Sequence, residues 1–132
     1  MTIQKLAWIF AALFLLVFII TNIPVFNDAE GRNFGLLKID PIDNIVHLLT
    51  AIIGGVAAWY SRRASKLFFV MFGGLYELDA IVGLLFSRGL LDTSIFTQGV
   101  GSADFGIINI ALNIPHIIIA SIMIGIGLRW KK

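Results

Sequence analysis

Four stretches of this 132-residue chain are too long and too apolar to suit a water-soluble domain. Residues 6–26 (LAWIFAALFLLVFIITNIPVF) hold no charged side chain, and residues 67–87 and 107–130 are nearly as apolar. A helix rises 1.5 Å per residue, so about 20 residues cross a hydrocarbon core of about 30 Å. These three are predicted spans. The fourth stretch, residues 44–60 (NIVHLLTAIIGGVAAWY), is short for a crossing unless the chain just before it is also immersed. With 58% hydrophobic residues, 14% charged and a mean hydropathy of +0.93, a soluble fold of this size would expose too much apolar surface. The expected fold class is an all-α integral membrane protein. It is a single domain, 1–132, of four transmembrane helices in two tandem hairpins with long outer loops. Lys5 and the apolar run after it resemble a signal peptide, but TNIPVFNDAEG offers no small-x-small cleavage site, so the segment reads as a retained span.

Charge orients the bundle. Lys5, Arg62, Arg63, Lys66, Arg129, Lys131 and Lys132 fall at the termini and the middle turn, against Arg32, Lys38 and Arg88 on the other side. The positive-inside rule then places both termini in the cytoplasm of a cell whose inner membrane holds the chain. Trp8, Trp59, Tyr60 and Trp130 fall at the same predicted face, as interfacial aromatic residues do. Basic residues at membrane edges, with no patch, give no support to nucleic-acid binding. The absence of cysteine removes disulfides and thiolate ligands.

Both histidines occur three residues after an asparagine, in NIVH (residues 44–47) and NIPH (residues 113–116). The match extends to FGLLKIDPIDNIVH (residues 34–47) against FGIINIALNIPH (residues 105–116), which suggests a duplicated hairpin, residues 5–60 and 66–130, in parallel orientation. Asparagine is a favoured N-cap and proline is tolerated in a first turn. Asn44 and Asn113 are therefore expected to cap helices, with His47 and His116 in the first turn. Helices starting there are about 25 Å long, and the FGLL and FGIINIAL segments would lie along, or dip into, the outer interface.

The run from FGLL through NIVHLLTAIIG, a basic turn and VMFGGLY resembles a bacterial family of small four-span membrane proteins. That family carries a domain of unknown function and repeats an Asn-x-x-His element. The resemblance covers roughly residues 34–127 and rests on Asn44, His47, Gly54, Tyr76, Asn113 and His116. It implies fold and location but supplies no activity. The family is apolar where this chain has Glu77 and Asp79, so a role for these acids would be particular to this chain.

Counting from the outer edge places His116, Glu77 and Asp79 roughly 10–15 Å deep, with Asn44, His47 and Asn113 in the same half of the bundle. Glu77 and Asp79 are two residues apart and cannot share a helix face. Glu77, with Gly73, Gly74 and Ala80, is expected to face the interior, and Asp79 an edge, a partner subunit or a water-filled entrance. Intramembrane acids are functional candidates by default. Thr50 and Ser121 read as interhelical hydrogen-bonders, and Gly54, Gly55, Gly73, Gly74 and Gly125 as sites of close helix approach. No nucleophile–base pair or phosphate loop is present, so the leading expectation is a non-enzymatic role without a cofactor. The chain would pack in lipid as a homo-oligomer or as a subunit of a larger membrane complex. The alternative is a metal-, haem- or small-ligand-binding protein, or a proton- or ion-handling one, with His47, His116 and Glu77 as candidate ligands.

Overall fold

The computed structural model describes residues 1–35 and 40–130. Four long helices run through them: α1 (Ile3–Asn22), α2 (Pro41–Tyr60), α3 (Arg62–Phe86) and, after the single turn α4 (Ser94–Thr97), α5 (Ile107–Arg129). At 1.5 Å per residue they are about 30–37 Å long. Each long helix has the length and apolarity to cross a membrane. Among the described residues there is no strand, only an isolated bridge between Asn27 and Asn33.

Local chemistry sets most helix ends. Thr2 caps α1 through the Lys5 N–H, Asp40 caps α2 through the Ile42 N–H, and Ser61 caps α3 through the Ala64 N–H. Ser61 also ends α2, so one residue turns the chain between two spans. The loop after α1 is held by Asp28, which accepts from the Arg32 N–H at 2.7 Å and pairs with its guanidinium at 2.8 Å. The Arg32 backbone bond, above all, holds the Asp28 carboxyl below its ordinary range.

The expected asparagine caps are not caps. Pro41 takes the first position of α2, where its missing N–H costs nothing, so the helix starts earlier and is long enough to span. Asn44 lies inside it and its Oδ1 accepts from the Thr21 hydroxyl at 2.7 Å, tying α2 to α1. α5 begins after Gly106, so residues 107–112, expected along the interface, form its first turns instead. Asn113 and Pro115 are interior to that helix. Pro115 leaves the Ala111 carbonyl without its helical donor, a defect that membrane helices absorb. The matching expectation for residues 34–37 falls partly on residues 36–39, outside the described residues. The side chains of Lys38, Lys131 and Lys132 also lie outside them.

Hydrogen bonds fix the antiparallel order. Gln4 reaches the Ala58 carbonyl at one end of α1–α2, and Lys66 reaches the Trp130 carbonyl at the same end of α3–α5. α1 packs chiefly on α2 and α3 on α5, with α2–α3 and α1–α3 joining the two hairpins. Buried residues of α1 (Ile3, Ala7, Phe10, Ala11, Phe14) recur on one helical stripe. Phe10 meets Phe69 edge-on at 5.2 Å, and Phe14 stacks on Tyr76 at 5.2 Å. Leu16, Ile52, Met71 and Ile118 point outward, where lipid accepts them without cost.

Small residues let α3 and α5 meet closely. A Cβ at Gly73 would lie 2.8 Å from Ile124 Cγ1 and 3.1 Å from the Ala120 carbonyl oxygen. Gly54 stands against the Phe68 ring and Gly55 against Trp8. Gly127 packs on Val70, and Gly83 abuts the Asn113 amide. Gly74 and Gly125 face open space, so packing within the described chain does not explain them. Gly73→Leu is expected to cost about 1–3 kcal/mol by overpacking and to lower the thermal unfolding midpoint in detergent. Gly74→Leu is expected to leave it unchanged, and equal shifts for both would contradict this packing.

Candidate metal centre

The chemistry gathers at the end of the bundle away from the termini. Asp43 and His47 are four residues apart on α2 and so share a face. Across from them, α5 presents His116 and α3 presents Asp79. One donor atom from each of Asp43, His47 and His116 lies within 4.8 Å of the others. A tetrahedral ion with bonds of about 2.1 Å needs donors about 3.4 Å apart, so the three side chains would have to close inward to hold one.

Aromatic walls fix the imidazoles. The His47 ring lies beside the stacked Phe14–Tyr76 pair, 6.1 Å from Phe14 (28°) and 6.3 Å from Tyr76 (27°), and 6.2 Å from His116. Tyr76 is fully buried, with its hydroxyl 3.0 Å from that of Thr50. His47 is 6% exposed, and its Nδ1, buried, has no hydrogen-bond partner. An unpartnered donor or acceptor in that setting costs about 1–3 kcal/mol, and His116 Nδ1 and Arg88 Nε are likewise buried without a hydrogen-bond partner.

Asp79 organises the second layer. Its Oδ1 accepts from the Leu90 and Leu91 N–H groups at 2.7 and 2.8 Å, pinning the loop after α3 back onto the helix. Its Oδ2 lies 3.3 Å from His116 Nδ1, an ion-pair separation whose angle is poor for a hydrogen bond. A carboxylate beside one imidazole nitrogen orients the ring and leaves Nε2 for an ion, the usual support for a metal-bound histidine. Asn109 donates to the Gly83 carbonyl at 3.1 Å and Asn113 to the Asn109 carbonyl at 2.8 Å, holding the start of α5 against the end of α3.

A cavity of about 500 Å³ opens beside these residues. Asp40, Asp43, Asp79, Asp92 and Arg88 line it together with both histidines. The two histidine rings lie 6.2 Å apart at this end of the bundle. Of the two acids of α3, Asp79 and not Glu77 joins this cluster. Asp79 is buried, because its face of α3 (Tyr76, Gly83) packs against α2 and α5. Glu77 is half-buried on another face, accepting from the Ser121 hydroxyl at 3.3 Å, and it is not among the grouped donors. Glu77 is therefore not placed as a ligand. Asp43 takes that position, legible in DNIVH as an acid one turn before the histidine. Arg88 carried no sequence signal. Thr50 and Ser121 both bond between helices, as expected.

Tyr76 lies 5.4 Å from His116 and 6.3 Å from His47. It fills the space a porphyrin between the two rings would need, so this geometry does not fit a haem. Asp79→Asn is expected to weaken the hold on residues 90–91 and raise amide hydrogen exchange there several-fold. Unchanged protection would show that the loop does not depend on the carboxylate.

Residues 4–129 match the model of a family described as a domain of unknown function (DUF4383). No curated protein matches the chain, and no solved structure does either.

Proposed function

We propose that this chain, which belongs to the DUF4383 family, is a multi-pass membrane protein that binds a divalent transition-metal ion through Asp43, His47 and His116. The observation that carries the reading is the convergence of those three donors from two helices, with the Nδ1 of each imidazole buried and without a hydrogen-bond partner. Two histidines and one carboxylate suit zinc or ferrous iron and leave a coordination position open toward the cavity. Asp79 acts through His116 by orienting it. The positive-inside rule, applied to Arg62, Arg63, Lys66 and Arg129, puts the termini in the cytoplasm and the cavity toward the outer face.

Zinc binding to the purified full chain, by calorimetry or by the visible spectrum of a cobalt substitute, tests this. One ion per chain is expected, with affinity falling at least 100-fold in His47→Ala or His116→Ala. Asp79→Asn is expected to cost 10- to 100-fold, and Glu77→Gln nothing. A wild-type chain that binds no zinc, iron or manganese would overturn the reading.

Glu77 favours a second, compatible reading, that copies associate within the membrane. A carboxyl near the middle of a span has one hydrogen bond, from Ser121, and sits beside Gly74 and Gly125, which touch nothing. Small residues admit a neighbouring helix, and a polar side chain gains a partner from it. The native chain has no cysteine, so a cysteine placed at Gly74 is expected to cross-link copies and one at Gly73 is not. Absence of cross-linking from both Gly74 and Gly125 would remove this reading.

A further inference from the structure

The cavity differs from a closed metal pocket in two respects, its wall and its guanidinium. α1 packs on α2 and α3 but scarcely touches α5. Leu13, Phe14 and Val17 from α1 and Leu112 and Ile119 from α5 line the same cavity as the acids and histidines. Leu13, Val17 and Leu112 are also exposed on the outside of the bundle. The gap between α1 and α5 is thus an apolar cleft leading from the lipid to the polar cluster.

Arg88 lines that cavity too. Its Nε is buried with no partner, and its Nη1 donates only to the Ser87 carbonyl at 3.1 Å. Among the described residues, ion pairs form between Arg32 and Asp28 or Glu30 and between His116 and Asp79, none at Arg88. A guanidinium has five donors in a fork that matches a carboxylate. Asp40, Asp43, Asp79 and Asp92 line the cavity as well, so a carboxylate there is placed by direct contact with Arg88 and the ion and not by an excess of positive charge.

We propose that the cleft between α1 and α5 admits a single-chain anionic amphiphile, a long-chain carboxylate, from the surrounding lipid. Its head group bridges Arg88 and the open position of the ion held by Asp43, His47 and His116, and its chain lies along Leu13, Val17, Leu112 and Ile119. The inference rests on the metal reading for one half of the head-group contact. It explains why one cavity combines a lipid-facing wall, an open coordination position and an unpaired arginine.

The test uses the full chain in a non-ionic detergent, loaded with zinc, and measures binding of zinc, of palmitate, of acetate and of a lysophospholipid with an anionic phosphate. Palmitate is expected to bind one per chain and to weaken at least 10-fold on removing zinc and in Arg88→Gln, whose zinc affinity stays that of the wild type. Leu112→Trp, which narrows the cleft, is expected to weaken palmitate at least 10-fold while zinc binding is retained. Acetate is expected to bind far more weakly than palmitate, and the lysophospholipid not to displace it. Zinc binding without palmitate binding overturns the proposal and leaves the metal reading intact. The proposal is likewise overturned by palmitate binding indifferent to Arg88→Gln and Leu112→Trp, or by preferential binding of the phosphate lipid. Failure of zinc to bind the wild-type chain overturns both readings.

Discussion

Asp79 lies about two turns, or about 10 Å, inside the end of a helix that crosses hydrocarbon, where an unpaired carboxylate costs about 3 kcal/mol or more. Its partners come from two directions: two backbone N–H groups of the following loop and a histidine of the last helix. Meeting that demand folds residues 90–91 back onto α3 and sets the rotation of α5 that presents His116. The rest of the polar end follows. Once His116 is in place, Tyr76 and Phe14 hold His47 opposite it, and Asp43 stands one turn away.

The bundle inverts the arrangement of a soluble protein. His47, Thr50, Ser65, Asp79 and Asn113 are buried, while Leu16, Ile52, Met71 and Ile118 are exposed. Apolar surface gains little by meeting other apolar surface when the solvent is itself hydrocarbon, so close contact and hydrogen bonds decide the packing. Gly73 and Gly127 supply the contact between α3 and α5, and Asn44 and Asn109 supply hydrogen bonds between neighbouring helices.

How much of this was legible depends on how local each cause is. The four spans follow from length and apolarity alone, and counting along them already puts both histidines in one half of the bundle. The asparagine caps failed because the true ends lie earlier, at Asp40 and Gly106, and because Pro115 is a weaker stop signal in lipid than in water. The faces of Glu77 and Asp79 could not be told apart by periodicity. What separates them is a loop eleven residues further on, whose N–H groups reach Asp79 and not Glu77. Arg88 was invisible for a similar reason, since the sequence shows a charge in a loop and not the wall it joins.

The two hairpins meet across the polar end but are joined in the chain only by the one-residue turn at Ser61. Asp43 and His47 belong to the first hairpin and His116 to the second. During membrane insertion, then, neither half carries a complete site. An ion captured there would register that the halves have docked, and its binding energy would be added to their association. The centre would serve as an assembly latch for the bundle, with the open seam between α1 and α5 as the side on which the two halves remain free to part.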